Sequence, residues 1–513
     1  MATPSEKLAA SLAQLQKLQQ GGRRVIRSAD LSRTHRQRLL RHGFLREVMR
    51  GWLISASPGA EFGDSTPWFA SFWEFCARYC RERFGEAWHL SPEQSLLLHA
   101  ETTVIPTQVI VYSPKGSNNT VELPFGTSLY DLKQDRMPPA TDLTERDGLR
   151  LFTPAAALIR VPEAFFRSCA LEAQLILSGL RDPAELLRRL LDGGQTVVAG
   201  RLAGAFRHVG RPEVADEIGA AMKAADYNVR EADPFAAGHS FDRTVRATVT
   251  PVVGRMHAMW AAMRGPVIER FPEMPGLPKD RVAYLAFVDE IYSSDAYHSL
   301  SIEGYQVSPA LIERVRSGAW DPDSHEEDRR NRDALAARGY WQAFQEAKKS
   351  VEEIISGRNA GELVRSAHRD WYREMFQPCV AAGIIPTSAL AGYRNDSVFI
   401  RTSRHVPPRW EAVRDAMPAL FDLLENEPEP AVRAVLGHWL FGYIHPYADG
   451  NGRLARFLMN AMLASGGYPW TVIHVEDRRE YLDGLEKVSV GMDVRPFTDF
   501  LAEQVHGSLG RTG

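Results

Sequence analysis

The run HPYADGNGRLARFLMN, His445 to Asn460, decides how this chain is read. It follows the apolar residues Leu440, Phe441, Tyr443 and Ile444, turns tightly through Asp449-Gly450-Asn451-Gly452, and enters an amphipathic helix with Arg453 and Arg456 in its first turns. This is the layout of an anion site with a base beside it. Free N–H groups at a helix start point at an anion, glycines let the backbone approach it closely, and arginines three apart share a helical face. Asp449 suits Mg²⁺, a hard oxygen-seeking ion that usually arrives with phosphates. Transfer at phosphorus needs mainly positioning and neutralisation of charge. A histidine near its reference pKa of about 6.5 can take a proton from an attacking hydroxyl at neutral pH. The bland alternative is a turn histidine before proline and two arginines solvating a helix. It leaves the Gly-Asn-Gly turn and the arginine spacing without a reason.

From His445 to Arg456 the run resembles the signature of the Fic family, His-Pro-Phe-x-Asp/Glu-Gly-Asn-Gly-Arg-x-x-Arg, with Tyr447 standing where Phe is usual. The resemblance implies a protein adenylyltransferase that moves AMP from ATP to a Ser, Thr or Tyr hydroxyl of a target protein, or of itself. By that resemblance His445 is the base and Asp449 holds Mg²⁺. Asn451 and the amides of Gly450 and Gly452 cradle phosphate, while Arg453 and Arg456 hold the β- and γ-phosphates. His438, upstream on the preceding helix, reads as a core or supporting residue, since one base suffices.

Upstream lies SLSIEGYQ, Ser299 to Gln306, with Ser299, Glu303 and Gly304 spaced as Ser/Thr-x-x-x-Glu-Gly. It is similar to the inhibitory motif of a Fic subclass, in which the glutamate reaches the second signature arginine, here Arg456. An arginine held bidentate by a carboxylate cannot also hold a γ-phosphate. An ordinary helix C-terminus at Glu303-Gly304 is the competing reading. Between the helices and the signature, Val398, Phe399, Ile400, Arg401 and Thr402 read as a short strand and turn. They resemble the family's flap, a hairpin whose edge can pair with an extended target segment; a plain surface hairpin is the alternative.

At the other end, Leu8, Leu12, Leu15 and Leu18 form one apolar stripe, and nine arginines fall between Arg23 and Arg50. Helix, turn, arginine-rich helix and the hairpin Val-Met-Arg-Gly-Trp-Leu-Ile suggest a small winged helix-turn-helix. Arg33, Arg36, Arg38 and Arg41 would then lie in a major groove of double-stranded DNA. The stretch resembles the head of abortive-infection-type antitoxins and transcriptional regulators; a solvated face or a protein contact explains the arginines as well.

The expected fold is mainly α. A winged helix-turn-helix head over 1–60 precedes a mixed α+β antitoxin-like domain over 61–235, a helical region with the inhibitory motif over 236–380, and a Fic catalytic core with flap over 381–505. In the mixed domain, strands are expected in 101–114, 118–126 and 148–162, and a helix over 162–180. With 513 residues, 44% of them apolar, the chain can bury several cores, and a formal net charge of −3 makes any nucleic-acid surface local. No long apolar run or leader pattern is found, so a soluble, unexported, cytoplasmic protein with no membrane contact is expected. Cys76, Cys80, Cys169 and Cys379 are few and scattered, as in a reducing compartment. Three functions remain open from sequence: an AMP-transferring enzyme, a DNA-binding regulator with the Fic half as switch, and a de-AMPylase in which Glu303 orients a water. No motif specifies the target or the oligomeric state, for which a homodimer is one option.

Overall fold

The computed structural model describes residues 3–58, 64–235, 250–319 and 332–509. The boundary expected at 236 and the acidic stretch 321–330 lie outside the described residues. Two compact units are found, Met1–Pro251 with Phe399–Val406, and Val252–Val398 with Pro407–Gly513. No described helix is long and apolar enough to cross a membrane.

In the first unit the helix Pro4–Leu18 begins at a capping box, in which Thr3 and Glu6 satisfy each other's backbone N–H. A three-stranded antiparallel sheet follows, with Trp52–Ser55 between Val25–Arg27 and Leu45–Met49. Strand side chains alternate between faces, and here the two faces serve two cores. Ile26 and Leu53 pack with Leu45 of the neighbouring strand, with Leu31, and with Leu15 and Leu39 from the helices Pro4–Leu18 and Arg33–Arg41. Val25, Trp52 and Ile54 pack with Phe72, Phe75 and Trp68 of the aromatic helix Thr66–Phe84.

The helix Arg33–Arg41 does not present its arginines as one open row. Arg36 donates to Ser28 O at 2.9 Å, and Arg38 donates to Lys7 O and Ser11 Oγ at 2.7 and 2.8 Å. Both are only partly exposed, so of the four expected groove residues Arg33 and Arg41 are the exposed ones.

The mixed region carries the strand Gln108–Ser113 parallel to Thr127–Lys133, which pairs antiparallel with Asn119–Leu123. Two expectations change here. The stretch 148–162 is a strand only over Leu149–Phe152, because Thr153 caps a helix, Pro154–Leu158, with proline in its first turn. The helix expected over 162–180 breaks at Cys169 (φ −127°, ψ 45°) into Glu163–Ser168 and Ala170–Gly179.

The expected strand over Val398, Phe399 and Ile400 is also absent. Ser403 N–H closes a turn onto Ile400 O, Thr402 adopts φ 62°, and the backbone pairs one step later, as Ile105 N–H to Arg404 O and Val406 N–H to Thr103 O. A three-residue alternation ending in a left-handed turn is too short to extend a ladder. Arg401 and Thr402 lie at that turn, and 399–406 packs with the first unit.

The second unit is helical. Pro251–Arg270, Arg281–Ile302, Pro309–Arg316, Arg332–Ile355 and Ala360–Ala381 lead to Val413–Asn426, Pro430–Ile444 and Asn451–Ala464, and Arg478–Gly491 and Arg495–Leu509 close it. Sequence reading missed Val413–Asn426, where Pro418 sits inside the pattern.

Candidate active site

The helix Pro430–Ile444 is buried along nearly its whole length and ends at His445, which adopts the left-handed conformation (φ 51°, ψ 61°). A following proline disfavours helix at this position, and a non-glycine residue held there stores on the order of 1–3 kcal/mol of strain. The surroundings over-determine it. His445 N–H donates to Phe441 O at 3.0 Å, and its Nδ1 lies 3.1 Å from Gly442 O. A carbonyl can only accept, so Nδ1 carries the proton and Nε2 is left as the basic nitrogen. Burial lowers the imidazole pKa below the ordinary histidine value, and Arg394 adds to that, while the Gly442 carbonyl, Glu303 and Asp449 oppose it.

Arg394, which sequence reasoning passed over, fixes the loop from behind. Its Nε donates to His445 O at 2.8 Å, its backbone N–H to Pro446 O at 2.9 Å, and Nη1 to Asp396 O at 3.0 Å. It is buried, and burial brings its pKa down to about 10. No sequence signal marks an arginine that works through backbone carbonyls.

The turn after His445 is closed by Asn451. Its Oδ1 accepts from Tyr447 N–H and its Nδ2 donates to Tyr447 O, both at 2.9 Å. Both polar atoms of the side chain thus shape the turn, each through one of its two hydrogen-bonding positions. The Gly450 amide is likewise taken, by Asp449 Oδ1 at 2.6 Å. Gly450 has φ 82°, and a Cβ there would lie 2.8 Å from the Phe376 ring, so only glycine fits. The helix Asn451–Ala464 has no side-chain cap, so its first-turn amides, Gly452 among them, are not held by a capping side chain, the condition under which a helix start can take an anion.

Arg453 is 1% exposed, and its Nε and Nη2 have no hydrogen-bond partner. Its guanidinium lies over the rings of Tyr305 and Phe376, 5.2 and 5.3 Å from their centres, with Asp449 Oδ1 3.5 Å away. Buried donors without hydrogen-bond partners are rare. Arg456, in contrast, is engaged through Nε and Nη2. Its Nε donates to Ser299 Oγ at 2.8 Å and its Nη2 to Ser299 O at 3.0 Å and Glu303 Oε1 at 2.7 Å.

Glu303 therefore reaches Arg456 as expected, but through one oxygen onto one nitrogen, because Ser299 holds the Nε side. Burial would raise the Glu303 pKa; Arg456 and Arg453 outweigh it and keep the carboxyl below its ordinary value. Burial alone would lower the Arg456 pKa, and Glu303 reverses that. A Cβ on residue 452 would come within 2.3 Å of Glu303 Oε1, so the carboxylate sits against the helix start at Gly452. The glutamate is also a helix end: Gly304 (φ 88°) donates to Ser301 O and Tyr305 to Leu300 O, the paired bonds of a Schellman cap. The two readings of Glu303-Gly304 thus describe one device, in which the cap aims the carboxylate. Ser299 itself lies inside the helix Arg281–Ile302, which runs further than its apolar pattern suggested.

Ser299→Ala would leave Arg456 Nε without its hydroxyl in a buried place. We expect a loss of about 1–3 kcal/mol of unfolding free energy, read from the denaturant midpoint; an unchanged midpoint would mean that the bond contributes nothing.

Around this pair, Asp295 accepts from Tyr340 OH at 2.6 Å and Trp470 Nε1 at 3.1 Å, and burial pushes its pKa up to about 6. His438 bonds Tyr481 OH at 2.7 Å, and burial with Arg456 nearby brings it down to about 3, so it is a neutral core residue. Among the described residues, His298, His474 and Glu476 are the cluster with metal-like donors. His298 Nδ1 accepts from Val475 N–H at 3.1 Å, which places its proton on Nε2, 3.0 Å from His474 Nδ1. That is a hydrogen-bond chain, with no lone pair of His298 left for a cation.

An uncapped helix start, a histidine with its free nitrogen basic, and a glutamate on Arg456 are thus brought together at one turn. Residues 361–463 match the Fic/DOC family. It is 45% identical over 114 residues to the protein adenylyltransferase Fic of Nematostella vectensis, covering 21% of this chain and 26% of that protein. It is 27% identical over 224 residues to that of Aedes aegypti, covering 43% of this chain and 41% of that one. Among solved structures, Fic-1 from C. elegans aligns with a TM-score of 0.37 and 20% identity over 67% of this chain and 96% of that one. The chain thus spans between about a quarter and two fifths of the length of these curated relatives. Ser299, Glu303 and Gly304 lie outside the residues matched to the family.

Proposed function

We propose that this chain is a protein adenylyltransferase that transfers AMP from ATP to a side-chain hydroxyl of a protein, and that Glu303 holds it in check. The observation that carries the reading is the Arg453 guanidinium, buried with Nε and Nη2 making no hydrogen bond, beside an uncapped helix start and a histidine whose Nε2 is basic. The phosphates of ATP would supply the acceptors. His445 Nε2 would take the proton of the attacking hydroxyl as its oxygen bonds to the α-phosphorus and pyrophosphate leaves. Asn451 and Arg394 hold the loop that aims the imidazole, and Arg453 neutralises phosphate charge.

Asp449 fits Mg²⁺. Its side chain is 60% exposed, and Oδ1 is engaged by Gly450 N–H while Oδ2 remains available. Mg²⁺ is commonly held by one carboxylate together with substrate phosphates, and there it offsets phosphoryl charge. Removal of AMP uses the same residues and is separated from transfer by the Glu303 variant discussed below. DNA binding by the head has less behind it, since Arg36 and Arg38 are engaged within the fold. Self-modification and a homodimer rest on the resemblance alone.

The depressed His445 pKa sets the pH response. A lowered pKa keeps the basic form populated down to and below the ordinary value, about 6.5. AMP-transfer rates at saturating ATP should therefore stay level from pH 8 to about 6.5 and decline below it. A rate that already halves between pH 8 and 7 would place the base elsewhere. The experiment that tests the function itself is incubation of the purified chain with labelled ATP and Mg²⁺, followed by intact-protein mass.

A further inference from the structure

Beside the signature turn is a cavity of about 330 Å³ lined by Arg369, Arg373, Arg414, Tyr393, Asn395 and Tyr447 among others, large enough for a small organic ligand. We propose that it is a second binding site, for a small phosphate ester, separate from the anion site at Gly452 and Arg453. Three observations lead there.

The first is charge. Three guanidiniums line one cavity, and no carboxylate lines it with them. Arg373 is paired with Asp370, but both side chains are more than half exposed, so solvent weakens that pair. Arg414 is oriented by neutral oxygens, those of Trp410 O, Arg394 O and the Asn395 side chain, so its charge is not cancelled. Arg369 lies over the Tyr393 ring, 5.5 Å from its centre. Planar guanidinium forks suit phosphate oxygens.

The second is an orphan. Tyr447 is 1% exposed, and its hydroxyl has no hydrogen-bond partner. The ring stacks on Tyr372 with centres 3.9 Å apart and 10° between planes, which fixes where the hydroxyl points. A buried hydroxyl left unpaired costs free energy that phenylalanine would not, and phenylalanine is the usual residue at this place in the signature. An acceptor in the cavity would give the hydroxyl its partner.

The third is connection. Arg414 donates to Arg394 O, and Arg394 in turn holds His445 O and Pro446 O, while Tyr447 is clamped by Asn451. A ligand here would press on the loop that carries His445. Any effect on AMP transfer rests on the proposed function, whereas the binding itself does not.

The test is calorimetric titration of the full chain with ribose 5-phosphate and, in parallel, inorganic pyrophosphate. We expect ribose 5-phosphate to bind the wild type, to weaken at least tenfold in Arg373→Ala, and to weaken several-fold in Tyr447→Phe. The second variant should melt no lower than wild type, because the hydroxyl it removes has no partner, so lost binding there is not lost folding. Pyrophosphate weakened by the same two changes would show that the site takes bare phosphates as well as esters. Ribose 5-phosphate that fails to bind the wild type, or that binds both variants as tightly as wild type, would overturn the proposal.

Discussion

His445→Ala should lower AMP transfer by about 10²–10⁴-fold, the span that a positioned general base contributes. The structure makes this a clean subtraction. The imidazole is held by Gly442 O at Nδ1, and its backbone by Phe441 and Arg394, so none of the groups expected to face phosphate depends on the ring. ATP affinity should then stay within a few-fold of wild type, giving a fall in kcat without a matching rise in KM. Activity within a few-fold of wild type would mean that the proton goes to another group. His438 is a poor alternative, since it is buried against Tyr481.

Glu303→Gly should act in the opposite direction and raise self-AMPylation or target AMPylation by about ten-fold or more. The carboxylate makes one charge-assisted bond to Arg456 Nη2, a class worth roughly 1.5–3 kcal/mol. A factor of ten in rate corresponds to about 1.4 kcal/mol. The Glu303 side chain is 32% exposed, which favours the lower end of the range. The larger part of the effect is steric and electrostatic together, since Oε1 lies against Gly452 at the helix start, where a phosphate would sit. Adding Arg456→Ala to Glu303→Gly should remove the gain, because the freed arginine is what the phosphate needs. Initial rates separate the two directions of chemistry: a variant that gains AMP only by failing to hydrolyse it would assign Glu303 to removal.

The candidate site was largely legible because its residues are local in sequence. His445, Asp449, Gly450, Asn451, Gly452, Arg453 and Arg456 fall within one turn and the start of one helix, so spacing alone brings them together. Ser299 and Glu303 lie more than 150 residues before Arg456, and what pointed to them was the spacing Ser-x-x-x-Glu-Gly and its resemblance to a known motif, with the helix end at Gly304 as the competing reading. What could not be read was how each group is used. Asn451 and the Gly450 amide hold the turn, and that follows from a hydrogen-bond closure invisible in the residue types. Arg394 escaped notice because arginine bonding to carbonyls has no spacing rule. The stretch from Val398 to Thr402 looked like a strand on β-branched residues alone, yet a strand needs a partner, and the pairing formed at Arg404 and Val406 instead. In the head, arginine density suggested a common face, whereas tertiary contacts with Lys7, Ser11 and Ser28 took two of the four.

The most direct measurement of the account is AMP incorporation from α-labelled ATP with Mg²⁺, followed over time by wild type, Glu303→Gly and Glu303→Gly combined with His445→Ala, with the chain itself and a protein extract as acceptors. The account predicts slow labelling of protein by wild type, labelling at least about ten-fold faster by Glu303→Gly, and none above background by the double variant. Absence of labelled protein with Glu303→Gly, or equal labelling with and without His445, would contradict it.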